Sequence, residues 1–196
     1  MVPSLQGTWK DIPFFKLYPL IELKDIKIIP SLFDLGIEWV QIREKEENFD
    51  NYLNEMMKFV ELANKINKKI IINDNVEVAK KIKAQGIHLG QEDMPPEKAR
   101  GILGKNVIIG LSCYKLDEIE EGLKNPFVDY IAIGPLFKTP LKDKKPVGVD
   151  ILKNFIGKGK IIVAIGGING ENILDVLSTG VDKVAFIRFL KDILKR

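Results

Sequence analysis

The chain has almost none of the residues that build sulfur or imidazole chemistry. Its 196 residues include one cysteine and one histidine. Cys113 alone cannot close an internal disulfide or supply a thiolate metal cluster. It reads as a small buried apolar group. His88 alone cannot build a multi-histidine zinc site, and its place inside a short apolar strand does not suit a Ser-His-Asp triad. Long apolar runs are also missing: none approaches the roughly 18 residues of a membrane span. Met1 to Lys10 has neither the basic start nor the apolar core of a signal peptide. Charge of one sign is not in excess, with 30 Lys and Arg against 27 Asp and Glu, interspersed. A general nucleic-acid surface is therefore not expected. These absences lead to the expectation of a cytoplasmic protein whose partners are neither nucleic acid nor membrane.

What is present fits one ordinary globular domain, 45% hydrophobic and 29% charged. Short β-branched runs alternate with stretches of helical period. Strands are expected near 15–20, 38–42, 69–73, 86–89, 107–111, 129–133, 161–165 and 183–187. Helices are expected near 25–35, 50–67, 76–84, 96–103, 116–124, 148–157, 170–179 and 189–195. Repeated strand–helix units imply a parallel sheet with right-handed crossovers. Eight of them in so short a chain predict a compact single-domain (β/α)8 TIM barrel over 15–196, preceded by an extension over 1–14. The same alternation also fits a doubly wound open sheet, but that fold usually has fewer strands. In helix 50–67, Tyr52, Leu53, Met56, Phe59, Val60 and Ala63 form one apolar face, with Asp50 as a cap and Asn67 as an end. Pro30 either lies in the first turn of a short helix or kinks a longer one.

Chemistry in such a barrel sits at the C-terminal ends of the strands. The second strand delivers Gln41, Arg43 and Lys45 to one side by alternation, an amide and two cations suited to a polyanion. The third ends in Asn73-Asp74, and Asp93 follows the fourth. Two carboxylates side by side at the rim, without Cys or His ligands, suit a hard cation such as Mg²⁺ that fills its shell with water and substrate phosphate. His88 points into the barrel or its wall and reads as a packed core histidine. Ser112, ending the fifth strand, can hydrogen-bond substrate or cap the next helix. The loop 134–148 holds four lysines and three prolines, a composition suited to a lid over an anion. Gly166-Gly167 lets backbone N–H groups approach a phosphate at the start of the next helix.

With those residues in view, the chain resembles the thiamine phosphate synthase and TenI superfamily over roughly residues 15–190. The resemblance is carried by Gln41-Ile42-Arg43-Glu44-Lys45, Ile72-Asn73-Asp74, Gly86 through Asp93, Gly134-Pro135-Leu136-Phe137-Lys138-Thr139 with Lys142, and Ala164 through Asn169. It implies that hydroxymethylpyrimidine diphosphate and a thiazole phosphate join to give thiamine phosphate and diphosphate. It further implies that Gln41, Arg43, Lys45 and Asn73 hold the pyrimidine diphosphate and that Asp74 and Asp93 bind Mg²⁺. Ser112, Thr139 and Lys142 match groups at the pyrimidine or on the lid, and Gly167 matches the backbone site of the thiazole phosphate.

Three departures gather on the thiazole side. Leu141 replaces a second lid hydroxyl. Arg188 stands where the last strand usually ends in a small residue, either pairing with the phosphate or filling its space. Tyr18-Pro19-Leu20-Ile21-Glu22 replaces the usual Thr-Asp ending of the first strand. Two alternatives follow: a TenI-like thiazole tautomerase, or a barrel that binds thiazole or thiamine phosphate without turnover. A homodimer through the outer helices is compatible with the sequence but not specified by it.

Overall fold

The computed structural model describes residues 12–44, 49–140 and 144–194. Eight parallel strands close on themselves in chain order: β1 (Leu17–Ile21), β2 (Trp39–Ile42), β3 (Lys69–Asn73), β4 (Gly86–Leu89), β5 (Ile108–Cys113), β6 (Tyr130–Ile133), β7 (Ile161–Ile165) and β8 (Lys183–Phe186). β8 pairs with β1 through Leu17↔Val184, Tyr18↔Ala185 and Pro19↔Phe186, so the open-sheet alternative is excluded. The strands read as near-continuous apolar runs because both their faces are buried.

Seven α-helices lie outside the barrel among the described residues: α1 (Ile29–Asp34), α2 (Leu53–Lys65), α3 (Val76–Ile82), α4 (Pro96–Leu103), α5 (Leu116–Lys124), α6 (Ile173–Ser178) and α7 (Leu190–Leu194). α2 buries Met56, Val60 and Ala63 against the sheet. Burying the first two contributes about 2 kcal/mol each. The expected helix 25–35 is a 3-10 segment, Leu23–Ile28, followed by α1 with Pro30 in its first turn, where the missing N–H costs nothing. Asp50 does not cap α2; it opens a 3-10 turn, Asp50–Tyr52, and the helix proper starts at Leu53. Asn67 does end that segment, in the left-handed region at φ 53°. The expected helix 148–157 is only a 3-10 turn, Asp150–Asn154, and 170–179 shortens to α6. Of the extension, residues 1–11 lie outside the described residues; Ile12 is buried, and Phe14–Lys16 forms a 3-10 turn into β1.

Two apolar layers result. The larger lies between sheet and helices. The smaller fills the barrel, with Tyr18, Leu20, Trp39, Ile71, Tyr130, Ala132, Val163 and Ala185. Strand starts are clamped from the next strand's approach. Gln85 Oε1 accepts from Ile70 N at 2.9 Å, Asp129 Oδ2 from Ile109 N at 2.7 Å, and Asp182 Oδ2 from Ile162 N at 2.8 Å. Lys183 is buried at the same end, donating to Phe15 O at 2.7 Å and pairing with Glu38 at 3.1 Å.

Candidate active site

A cleft of about 310 Å³ opens at the C-terminal ends of the strands. Its floor and walls carry Gln41, Arg43, Asn73, Asp74, Asp93, Ser112, Thr139 and Gly167, eight of the ten residues expected from the sequence. The other two, Lys45 and Lys142, lie outside the described residues, as does Leu141.

The carboxylate pair is built by two tight turns. After β3, Asp74 sits at φ 61°, a left-handed conformation that Asp tolerates better than most side chains. Its N–H is held by His88 O at 2.8 Å, and Asn75 then caps α3 by accepting from Val78 N at 2.9 Å. After β4, Asp93 folds back so that Oδ2 accepts from Gly90 N at 2.6 Å. A Cβ at residue 90 would stand 2.8 Å from that oxygen, so a side chain there would displace the Asp93 carboxylate. Although Asp74 is exposed at the rim, crowding desolvates its carboxyl. With the hydrogen-bonded Asp93 carboxylate beside it, this pushes its pKa up to about 6, against the opposing pull of Asn73 and Arg43. Two carboxylates forced together need a proton or a cation between them. An all-oxygen donor pair at an open rim fits a hard divalent ion. Among the described residues no cluster of three or more His, Cys, Asp or Glu gathers, so such an ion would take its remaining ligands from water and substrate.

Across the cleft, β7 runs into Gly166 and Gly167, at φ 98° and 71°. The loop after β6 packs directly on them, with Leu136 N on Ile165 O and Phe137 N on Gly166 O, both at 3.0 Å. A Cβ on Gly166 would meet Pro135 Cα at 2.4 Å. The glycine pair therefore serves the packing of that loop. The pair does not stand at a helix start, since α6 begins only at Ile173. Instead, among the described residues no acceptor engages the N–H of Gly166, Gly167 or Ile168, and all three line the cleft. Arg188 lines the same wall and has no ion partner among the described residues. The loop's far arm returns beside the near one, Val147 N on Pro135 O at 2.9 Å, and Lys144 lies 3.9 Å over the Tyr114 ring.

The inward placement of His88 agrees with the sequence, but its two hydrogen-bond partners and the buried phenols Tyr18 and Tyr130 were not expected. His88 is buried within the barrel but also lines the cleft, stacked on Tyr130 at 5.5 Å. Ser112 does not cap α5; its Oγ is 2.9 Å from His88 Nε2. Cys113 is fully buried, and burial pushes its thiol up to about 12, as suits an inert packing group. Two features announce Tyr130 in hindsight. Alternation along β6 turns it inward, and its register partner is Gly110, where a Cβ would lie 1.9 Å from the tyrosine ring.

Fold and site together define a (β/α)8 barrel whose rim carries a carboxylate pair beside Arg43 on one wall and, on the other, Arg188 with backbone N–H groups that no described residue engages. The family model described as thiamine monophosphate synthase matches residues 19–190, and the chain belongs to that family. It is 36% identical over 182 residues to a thiamine-phosphate synthase of Dictyoglomus turgidum, covering 88% of this chain and 81% of the relative. It is 41% identical over 155 residues to one of Clostridium novyi, covering 78% and 76%. Among solved structures, a thiamine phosphate pyrophosphorylase from Pyrococcus furiosus superposes with a TM-score of 0.77 at 33% identity, covering 89% of this chain and 86% of that one.

Proposed function

We propose that the protein couples hydroxymethylpyrimidine diphosphate to hydroxyethylthiazole phosphate, giving thiamine phosphate and diphosphate. One observation carries this reading. A single cleft holds Arg43 with Asp74 and Asp93 on one wall, and on the other Arg188 with three backbone N–H groups that no described residue engages. Two phosphorylated substrates need two such walls.

The carbon–oxygen bond between the pyrimidine methylene and the diphosphate breaks, and diphosphate leaves with the electron pair. The electron-rich aminopyrimidine spreads the positive charge left on the methylene. The thiazole nitrogen then gives its lone pair to that carbon. Arg43 meets the charge growing on the departing group, joined by Lys45 and Lys142 as the sequence places them. Mg²⁺ held by Asp74 and Asp93 would neutralise diphosphate charge when bound. The walls hold the reactants in line and limit water access, and no protein nucleophile is required. A single thiol left reduced suits a cytoplasmic setting. The tautomerase reading asks for a free proton shuttle, whereas both His88 ring nitrogens are engaged by protein hydroxyls.

The test is a coupling assay with both substrates and Mg²⁺, following thiamine phosphate by chromatography with and without a chelator. Metal-dependent product is expected, and Asp93→Ala is expected to lower kcat by at least about 100-fold. Full activity of Asp93→Ala in Mg²⁺ overturns the metal assignment. Binding of the pyrimidine diphosphate without product overturns the synthase reading.

A further inference from the structure

Five polar side chains inside the barrel form one continuous chain. Gln41 Nε2 donates to Tyr18 OH at 2.8 Å, and Tyr18 OH meets Tyr130 OH at 2.9 Å. Tyr130 OH meets His88 Nδ1 at 2.9 Å, and His88 Nε2 meets Ser112 Oγ at 2.9 Å. The chain thus links β2 to β5 through β1, β6 and β4.

With Gln41 Nε2 as the donor to Tyr18, the remaining proton positions follow. Burial raises both phenols far above neutrality, so each keeps its one proton. Tyr18 oxygen takes the Gln41 N–H, so its own proton passes on to Tyr130. Tyr130 oxygen takes that proton's bond and gives its own hydrogen to Nδ1. An accepting Nδ1 puts the imidazole proton on Nε2, which donates to Ser112. The Ser112 hydroxyl proton is then left for the cleft it lines. At the opposite end Gln41 also lines the cleft. It is only 2% exposed, yet its Oε1 has no partner among the described residues. A buried acceptor left unpaired is costly unless a ligand completes it.

We infer that this chain is a polarity lock, in which His88 as the Nε2–H tautomer is a positioning residue that presents Gln41 as an acceptor and Ser112 as a donor, and so selects an aminopyrimidine against its oxo counterpart. The inference rests on the proposed function and extends it to the origin of substrate choice. An amino substituent offers N–H and leaves the adjacent ring nitrogen a lone pair. An oxo substituent reverses both, offering C=O beside a ring N–H. Rotating the Gln41 amide to suit the oxo ring requires every hydrogen bond as far as Ser112 to reverse. The discrimination therefore belongs to the whole chain of five residues.

The chain's single histidine makes the test direct, because its two ring nitrogens can be read by ¹⁵N NMR without ambiguity. The expected result is a protonated Nε2 and an unprotonated Nδ1, in the free protein and with hydroxymethylpyrimidine diphosphate alone. A proton on Nδ1, or on both nitrogens, overturns the lock. Calorimetry then compares that diphosphate with the analogue carrying oxygen in place of the amino group. Wild type is expected to prefer the amino compound by at least about 100-fold. In folded Tyr130→Phe, or Tyr18→Phe should the first not fold, the preference is expected to shrink below about tenfold. An unchanged preference in either folded variant also overturns the lock. Neither readout needs turnover. An Nε2–H histidine with amino preference but no coupling would sink the synthase reading and leave the lock standing.

Discussion

Asp74 concentrates the electrostatics of the site in one side chain. Its carboxyl holds a proton up to about pH 6, first through desolvation and then through Asp93. In the metal-free protein the folded state binds that proton more tightly than the unfolded chain, whose carboxyl titrates near 3.9. The stability contributed by protonated Asp74 is therefore fully present below about pH 4 and is lost as pH rises through about 6. Thermal melts across that window should show the midpoint fall in wild type and a flatter profile in Asp74→Asn. Mg²⁺ should restore stability above pH 6 in wild type alone, since binding requires the ionised carboxylates. Arg188 gives a second residue-scale expectation. Arg188→Ala should raise KM for the thiazole phosphate by about tenfold while leaving that for the pyrimidine diphosphate unchanged. An improved thiazole KM would instead mean that the side chain obstructs the subsite.

The elements show which parts of the molecule were legible from sequence. The strands were, because residues such as Ile70-Ile71-Ile72 are buried on both faces and tolerate little but apolar side chains. Where helices misread, local backbone explains it. The segment 148–157 begins while Val147 and Gly148 are still bonded to the loop before it, and Gly157 and Gly159 take positive φ beyond it. Only five residues remain for a 3-10 turn. Arg43, Asn73, Asp74 and Asp93 were legible as charged or polar residues at strand ends, where core packing does not explain them. Tyr18 and Tyr130 were not, since a tyrosine in an apolar strand passes for packing. Their partners come from positions 23, 112 and 42 residues away in sequence. The strand-start clamps were equally invisible. Asp129→Ala should lower unfolding free energy by about 1–3 kcal/mol, because it frees Ile109 N and leaves Arg100 without its carboxylate. Steady-state kinetics on the same variant should match wild type, as the clamp lies at the opposite end of β5 from Ser112.

At the scale of the whole molecule, the two ends of the barrel do different work. The C-terminal rim gathers unpaired groups and crowded charges, while the N-terminal end ties its polar groups to backbone. Between them, Tyr18, Trp39 and Tyr130 pack edge to face with centroids 5.3 to 6.1 Å apart. The clamps from Gln85, Asp129 and Asp182 fall at one register in three quarters of the barrel, on the second residue of β3, β5 and β7. In the remaining quarter, Glu38 pairs instead with Lys183, whose ammonium also holds Phe15 O and lies 4.9 Å over the Trp39 ring. The Lys183–Glu38 pair spans the β8–β1 junction, where the first and last strands meet and Pro19 brings no N–H to the ladder. Mechanically, this junction is the zip of the barrel and Lys183 its buckle. A chain stretched between residues 12 and 194 would load β1 and β8 in shear, with the Lys183 ammonium bearing on that junction.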